Sequence, residues 1–264
     1  YLNPAGEATG QANTGYVWCF LAPERDQVVF LYDSSRGGQI PQGLLKDTSG
    51  ILVCDGYAGY NVVVNSYDRE RAGCLAHARR KFVDLLDSDV DLMAPILDKF
   101  KVIYGVEREM ADEGLLGSKD HLEARQSKSL DALKRIKELC ENRPLELLPD
   151  SPVTKAMNYF LNQWPHLKTF TENVRIPVDN NFCERTLRIV SLLRKNANFV
   201  GNPASGQRTM VLLSLAQSCV LNGINPLEYF ADVLMRMNDP PADLTELLPG
   251  NWKPSPEEKN SPIS

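Results

Sequence analysis

At about Asp84 the apolar residues of this chain stop falling in short continuous runs and begin to fall at helical spacing, a pattern that holds to about Val178. This change constrains the fold more than any other feature. A period of 3.6 residues buries one face of a helix, whereas a short apolar run between turn residues buries a strand. Any sheet must therefore come from the residues before the change, with the later stretch forming a helical body. Ile96, Phe100 and Ile103 make one helical stripe, and Leu130, Leu133, Ile136 and Leu139 another. Breaks fall at Gly114–Gly117 and Asn142–Pro152, and further helical pieces are expected around Val153–Gln163 and Leu167–Asn173. These stripes read as packing faces, and no catalytic constellation lies in them.

Before the change, residues 4–14 are turn chemistry. Gly15–Ala22 and Gln27–Tyr32 are expected to pair as a hairpin across the tight turn Pro23–Asp26. A loop over Asp33–Gly38 leads to a short helix, Ile40–Leu45, which tolerates Pro41 in its first turn. Ile51–Cys54 is wholly apolar and is expected to be a central strand covered on both faces. Asn61–Asn65 and Arg71–Leu75 are extended candidates, followed by a helix over residues 76–87. Beyond Val178 a helix is expected to about Lys195, then a polar loop over Asn196–Gln207 that contains Phe199-Val200-Gly201. An apolar helix from Arg208 to Leu221 stops at Asn222-Gly223, and another runs from Pro226 to about Met237. The tail carries Pro240, Pro241, Pro249, Pro254, Pro256 and Pro262 and is expected to be loosely ordered.

Charge matters here by its distribution. The net charge of −5 does not advertise nucleic-acid binding. Between Asn181 and Met210, however, Arg185, Arg188, Arg194, Lys195 and Arg208 surround a single acid, Glu184. A basic patch around one carboxylate suggests an anion site, and a solvated helix face is the ordinary alternative. Six cysteines are scattered without a CxxC pair, which argues against a zinc ribbon or a disulfide framework and for buried thiols in a reducing, cytoplasmic setting. No apolar run reaches membrane-spanning length, so no membrane partner is expected.

Two acids stand out by position. Asp55 follows the apolar strand directly and precedes Gly56, the place where open α/β sheets build their sites, although Asp-Gly turns are common. Glu184 lies in the stretch VDNNFCERTLR, three residues after Asn181. That spacing fits a capping box with Asn181 as the cap, or a carboxylate presented on one face with Arg188. Cys74 and His77 are separated by two residues, half of a zinc site with no second pair to complete it. His77 therefore reads as an orienting or phosphate-contacting residue, or as part of a helix start. Arg79, Arg80 and Lys81 follow as a second basic cluster, with a solvated helix end as the alternative.

The segments TGYVWCF, DSSRG, CDGYAGYN, GCLAHARRKF, DNNFCERTLR, RKNANFVG and LLPGNW occur in that order and span nearly the whole chain. Together they resemble the insertion sequence sixty-six family of bacterial DDE transposases. The resemblance implies an α/β class, with a ribonuclease-H-like mixed sheet, a large helical insertion and a helical carboxyl-terminal part. It divides the chain into residues 1–83, the first part of the catalytic domain; 84–178, the insertion; 179–223, the catalytic helix and closing helices; and 224–264, the last helix and tail. It makes Asp55 the second catalytic acid and Glu184 the third, both metal ligands. The first acid is expected in a segment before Tyr1, so the chain is expected to be a fragment.

The same resemblance implies two Mg²⁺ or Mn²⁺ ions that assist phosphoryl transfer on double-stranded DNA, at element ends and target. Arg79, Arg80, Lys81, Arg185, Arg188, Arg194 and Lys195 would contact phosphates, which positions DNA without reading its sequence. Asn180 and Asn181 would support Glu184, and a homodimer on DNA would bring two ends together. The expected function is metal-dependent strand cleavage and strand transfer. The alternative is a non-catalytic DNA-binding remnant. A nuclease acting on RNA hybrids is a third reading, disfavoured by the long helical insertion.

Overall fold

The structure, a computed structural model, describes residues 14–144, 146–196 and 201–255. In chain order, β1 (Tyr16–Ala22) and β2 (Gln27–Asp33) are followed by α1 (Gln39–Leu45), β3 (Gly50–Cys54), α2 (Asn61–Ser66) and β4 (Arg69–Gly73). Then come α3 (Leu75–Val83), α4 (Val90–Asp112), α5 (Lys119–Ala124), α6 (Leu130–Glu141), α7 (Pro152–Leu167), α8 (Asn181–Asn196), α9 (Pro203–Leu221) and α10 (Pro226–Arg236). The architecture is mixed α/β and mostly helical. It forms two compact bodies: one from the chain up to Arg36 together with the chain from Cys183, the other from Gly37–Phe182.

In the first body the expected hairpin forms, with β1 and β2 antiparallel and Phe30 opposite Cys19. Its tight turn needs Asp26 at a φ of 47°, a left-handed conformation that Asp tolerates better than most residues. The apolar face of the hairpin packs on α9, where Val28, Phe30 and Met210 are buried together. Serines on α9 also close the outer edge of β2. The Phe30 N–H donates to Ser214 Oγ at 2.8 Å, and the Val28 N–H donates to Ser218 Oγ at 3.1 Å. These bonds satisfy backbone groups that an open edge would offer to another strand.

Helix α9 begins at Pro203, earlier than its apolar pattern indicates, because Asn202 caps it by accepting the Ser205 N–H and proline suits the first turn. It ends at Asn222, where Gly223 has a φ of 68°. The tail is better ordered than its prolines suggest. Trp252 Nε1 and Ser255 Oγ each donate to the buried Asp232 of α10 at 2.6 Å, and the Tyr229 hydroxyl donates to the Leu247 carbonyl. Arg236 completes this clasp by bonding Asp232 and the Lys253 carbonyl. The segment around Phe199 and Val200, residues 4–13 and the end of the tail lie outside the described residues.

In the second body β3 and β4 run parallel, with Cys54 opposite Gly73. Among the described residues there are two two-stranded ladders, where the resemblance implies one mixed sheet. Among the described residues strand β3 pairs with β4 alone, and Ile51, Leu52 and Val53 are half-buried, not covered on both faces. The stretch Asn61–Asn65 is helical instead of extended. The β-branched run Val62-Val63-Val64 mimics a strand, but the chain is helical there and, of the three valines, Val63 is the one fully buried. The piece expected over Leu167–Asn173 is a single tight turn, Thr169–Thr171, after α7.

The helical stripes pack as their spacing predicts. Phe82, Phe100 and Phe160 meet with ring centroids 6.0–6.2 Å apart, among Ile96, Ile103, Leu133 and Ile136. The α6 stripe continues through Ala132 and Cys140, which leaves Leu139 exposed. A wide helical turn, Arg125–Ser129, joins α5 to α6 and aims Arg125 inward. Its guanidinium forms two hydrogen bonds with the Glu107 carboxylate, at 2.8 and 2.7 Å, and donates to the carbonyls of Phe170, Val174 and Ile176. One buried cation thereby fixes the strap that leads into α8.

Candidate active site

Asp55 is the first residue past β3, and two neighbours set its geometry. The Tyr57 N–H donates to Asp55 Oδ1 at 3.0 Å, closing a side-chain turn. From β4, the buried Arg71 donates through Nη2 to the Asp55 carbonyl, and also holds Asn61 and Gln163. The guanidinium thus secures the strand end while the carboxylate stays half-exposed. Burial pushes the Cys54 thiol beside it up to about 11, against the opposing charge of Arg71.

His77 comes from the first turn of α3. Its Nε2 lies 4.0 Å from Asp55 Oδ2 and its Nδ1 lies 3.2 Å from Cys74 Sγ. The same sulfur accepts the Asn180 N–H at 3.5 Å, and burial pushes that thiol up. Cys74 therefore links His77 to Asn180, and the other ring nitrogen of His77 faces Asp55. Behind Gly56 stands Tyr159 of α7; a Cβ at Gly56 would lie 2.8 Å from its ring and hydroxyl. Burial first, then the Asp55 charge, pushes the Tyr159 phenol up. Lys81 Nζ sits 4.7 Å from the centre of that ring, while Arg79 and Arg80 beside it are exposed.

The start of α8 differs from a capping box. Asn181 is the first helical residue and a donor: its N–H and its side-chain amide bond the Asp179 carboxylate at 3.0 and 2.8 Å. The Tyr104 hydroxyl donates to the same carboxylate at 3.0 Å. Asp179, not Asn181, supplies the capping oxygen. The side-chain oxygen of Asn180 is buried and finds no hydrogen-bond partner among the described residues.

Glu184 lies in the first turn of α8 and is half-buried. Arg185, Arg188, Arg194 and Lys195 follow on the same helix, all at least partly exposed. The two candidate acids belong to different bodies, Asp55 to the second and Glu184 to the first. Both offer hard carboxylate oxygens, the donor type Mg²⁺ and Mn²⁺ prefer. Among the described residues, no group of three or more His, Cys, Asp or Glu side chains is gathered closely enough to hold a metal ion.

Three residues that shape this region escape sequence reasoning: Arg71, Tyr159 and Asp179. Asp179 carries a readable signal, an acid two residues before a helix start. Arg71 and Tyr159 carry none, since only the folded chain brings them to Asp55 from positions far apart in sequence. Cys74 is visible in the sequence as half of a zinc site, but its sulfur serves instead as a hydrogen-bond partner of His77 and Asn180.

The fold is that of a mixed α/β protein, mostly helical, with Asp55 at the carboxyl end of a parallel strand. The description "Transposase IS66 family" matches residues 3–208, and "IS66 C-terminal element" matches residues 214–249. The chain belongs to the IS66 transposase family. Uncharacterized protein y4jD of Sinorhizobium fredii is 33% identical over 88% of this chain and 47% of its own length. Uncharacterized protein y4hP of the same organism is 30% identical over 94% of this chain and 49% of its own length. The chain spans about half the length of the curated relatives it matches. No solved structure matches it. Among the described residues, no helix is long and apolar enough to cross a membrane.

Proposed function

We propose that this chain is the ribonuclease-H-like catalytic part of a DDE-type DNA transposase, with Asp55 and Glu184 as two of its metal-binding carboxylates. The observation that carries the reading is the setting of Asp55, one residue past a parallel strand, with one oxygen held by the Tyr57 N–H and the other toward His77. Family membership supports the same role. In this reading the domain boundaries near residues 83, 178 and 223 separate catalytic and helical parts, and the protein acts in the cytoplasm as a dimer on DNA.

Each residue then has a stated task. The Tyr57 N–H holds one oxygen of the Asp55 carboxylate, Arg71 fixes the Asp55 backbone through its carbonyl, and His77, held in turn by Cys74, faces the second oxygen. Asp179, with Asn180 and Asn181, fixes the start of the helix that carries Glu184. Arg79, Arg80, Lys81, Arg185, Arg188, Arg194 and Lys195 neutralise DNA phosphates. Bound Mg²⁺ or Mn²⁺ ions would supply water activation and charge neutralisation at the scissile phosphate. The test is strand cleavage and strand transfer on element-end DNA with Mg²⁺, by a protein in which this chain is completed by the expected upstream segment. Asp55→Asn and Glu184→Gln are each expected to lower the rate on the order of a hundredfold or more, and wild-type rates in either would overturn the assignment.

A second reading, DNA binding without chemistry, keeps the exposed cations of α3 and α8 and gives Asp55 and Glu184 no metal. It predicts that wild type and both variants bind DNA equally and that none cleaves it.

A further inference from the structure

Of the six cysteines, two meet. Cys19 on β1 and Cys183 at the start of α8 are 164 positions apart, yet their sulfurs lie 3.5 Å from each other. Each thiol also faces the other's backbone carbonyl, Cys183 Sγ at 3.7 Å from the Cys19 oxygen and Cys19 Sγ at 4.0 Å from the Cys183 oxygen. Both residues are half-buried and reduced, while Cys54, Cys74, Cys140 and Cys219 are buried. A disulfide needs sulfurs about 2.05 Å apart, so the pair is already in van der Waals contact and has a short distance to travel. Both residues sit in the same body, on elements whose neighbours Leu21, Leu187 and Val190 pack around one small core. That packing keeps the two thiols facing each other.

We propose that Cys19 and Cys183 are an oxidisable thiol pair that closes to a disulfide joining β1 to the first turn of α8. With a low-molecular-weight disulfide as oxidant, one cysteine displaces a thiol to give a mixed disulfide, and the other cysteine then displaces the second. Two protein thiols and one oxidant disulfide become one protein disulfide and two small thiols. The bond would close a very long loop, so it would strongly restrict the unfolded chain. It would also tether the residue directly before Glu184. The inference goes beyond the transposase reading and stands without it.

The test treats the folded chain with oxidised glutathione, followed by alkylation and non-reducing peptide mapping. The expected result is one crosslinked peptide pair, Cys19 with Cys183, with the other four cysteines alkylated. In Cys19→Ser, Cys183 should instead retain glutathione as a stable mixed disulfide. A raised midpoint of unfolding in the oxidised wild type, absent in Cys183→Ser, is the second readout. Stable glutathione on Cys19 or Cys183 of the wild type without a crosslink would overturn the proposal, as would pairing of either with another cysteine.

Discussion

The Tyr104 hydroxyl donates to the Asp179 carboxylate at 3.0 Å, joining the middle of α4 to the residue that caps α8. Burial, then the charge and hydrogen bond of Asp179, push that phenol well above its ordinary value, so it stays a donor at every physiological pH. Asp179→Ala removes the acceptor for three donor groups at once and leaves a part-buried hydroxyl without its partner. The expected cost is about 1–3 kcal/mol, read as a lower midpoint in urea unfolding. Tyr104→Phe should cost less, because Asp179 keeps both bonds from Asn181.

The Glu107–Arg125 pair should behave differently with pH. Burial works against ionisation of Glu107, yet hydrogen bonds and charge from Arg125, and then from His121, hold it below the ordinary glutamate range. A depressed carboxylate stabilises the fold above its unfolded pKa, about 4.3, and loses that contribution as pH falls through its lower folded value. Glu107→Gln is therefore expected to be less stable than wild type at pH 7. The gap between the two should narrow as pH drops below about 4.3. Urea titrations across pH 3–7 would check this, and a constant gap would count against it.

Arg125→Leu is the more damaging change. It leaves the Glu107 charge without its main partner and removes the donor shared by the strap carbonyls of Phe170, Asn173, Val174 and Ile176. Breaking such a pair from one side costs about 3–5 kcal/mol. Calorimetry should show the loss, and Arg125→Lys should recover only part of it, because an ammonium cannot span the same acceptors.

Gly56 and Tyr159 form a steric pair that a double-mutant cycle can resolve. A methyl at Gly56 would sit 2.8 Å from the Tyr159 ring. Gly56→Ala is expected to destabilise by about 1–3 kcal/mol through overpacking. In a Tyr159→Ala background the same substitution should cost much less, and additive costs would show that the contact is not what excludes the methyl.

The clasp on Asp232 can be read locally. Trp252→Phe removes a donor to a buried carboxylate while keeping most of the ring's packing. A hydrogen bond to a charged group contributes about 1.5–3 kcal/mol. Hydrogen exchange over residues 244–255 should accelerate, with little change in α4 or α7.

Elements with long periodic patterns are legible in the amino-acid order alone. The stripes of Ile96, Phe100 and Ile103 and of Leu133 and Ile136 are buried as their spacing requires, and the hairpin forms within a residue of its expected ends. Short segments mislead where tertiary contacts outweigh propensity. Val62-Val63-Val64 favours a strand, yet the segment is helical and buries Val63. The tail's prolines suggest looseness, but they say nothing of a single buried acid, Asp232, waiting for Trp252. At the site, Asp55 and His77 are identifiable by position and do approach each other. Arg71, which fixes the backbone of Asp55, is not, since no local pattern marks a buried cation that bonds residues on three separate segments.

The serines that seal β2 arrive late. Ser214 and Ser218 are the partners of Phe30 and Val28, and the ribosome makes them only after the whole of Gly37–Phe182. At roughly 5–20 residues per second, the hairpin waits on the order of ten to forty seconds before Ser214 is made to bond Phe30. The intervening body can complete its own core in that interval. Synthesis thus leaves the outer edge of β2 without its serine partners throughout that interval.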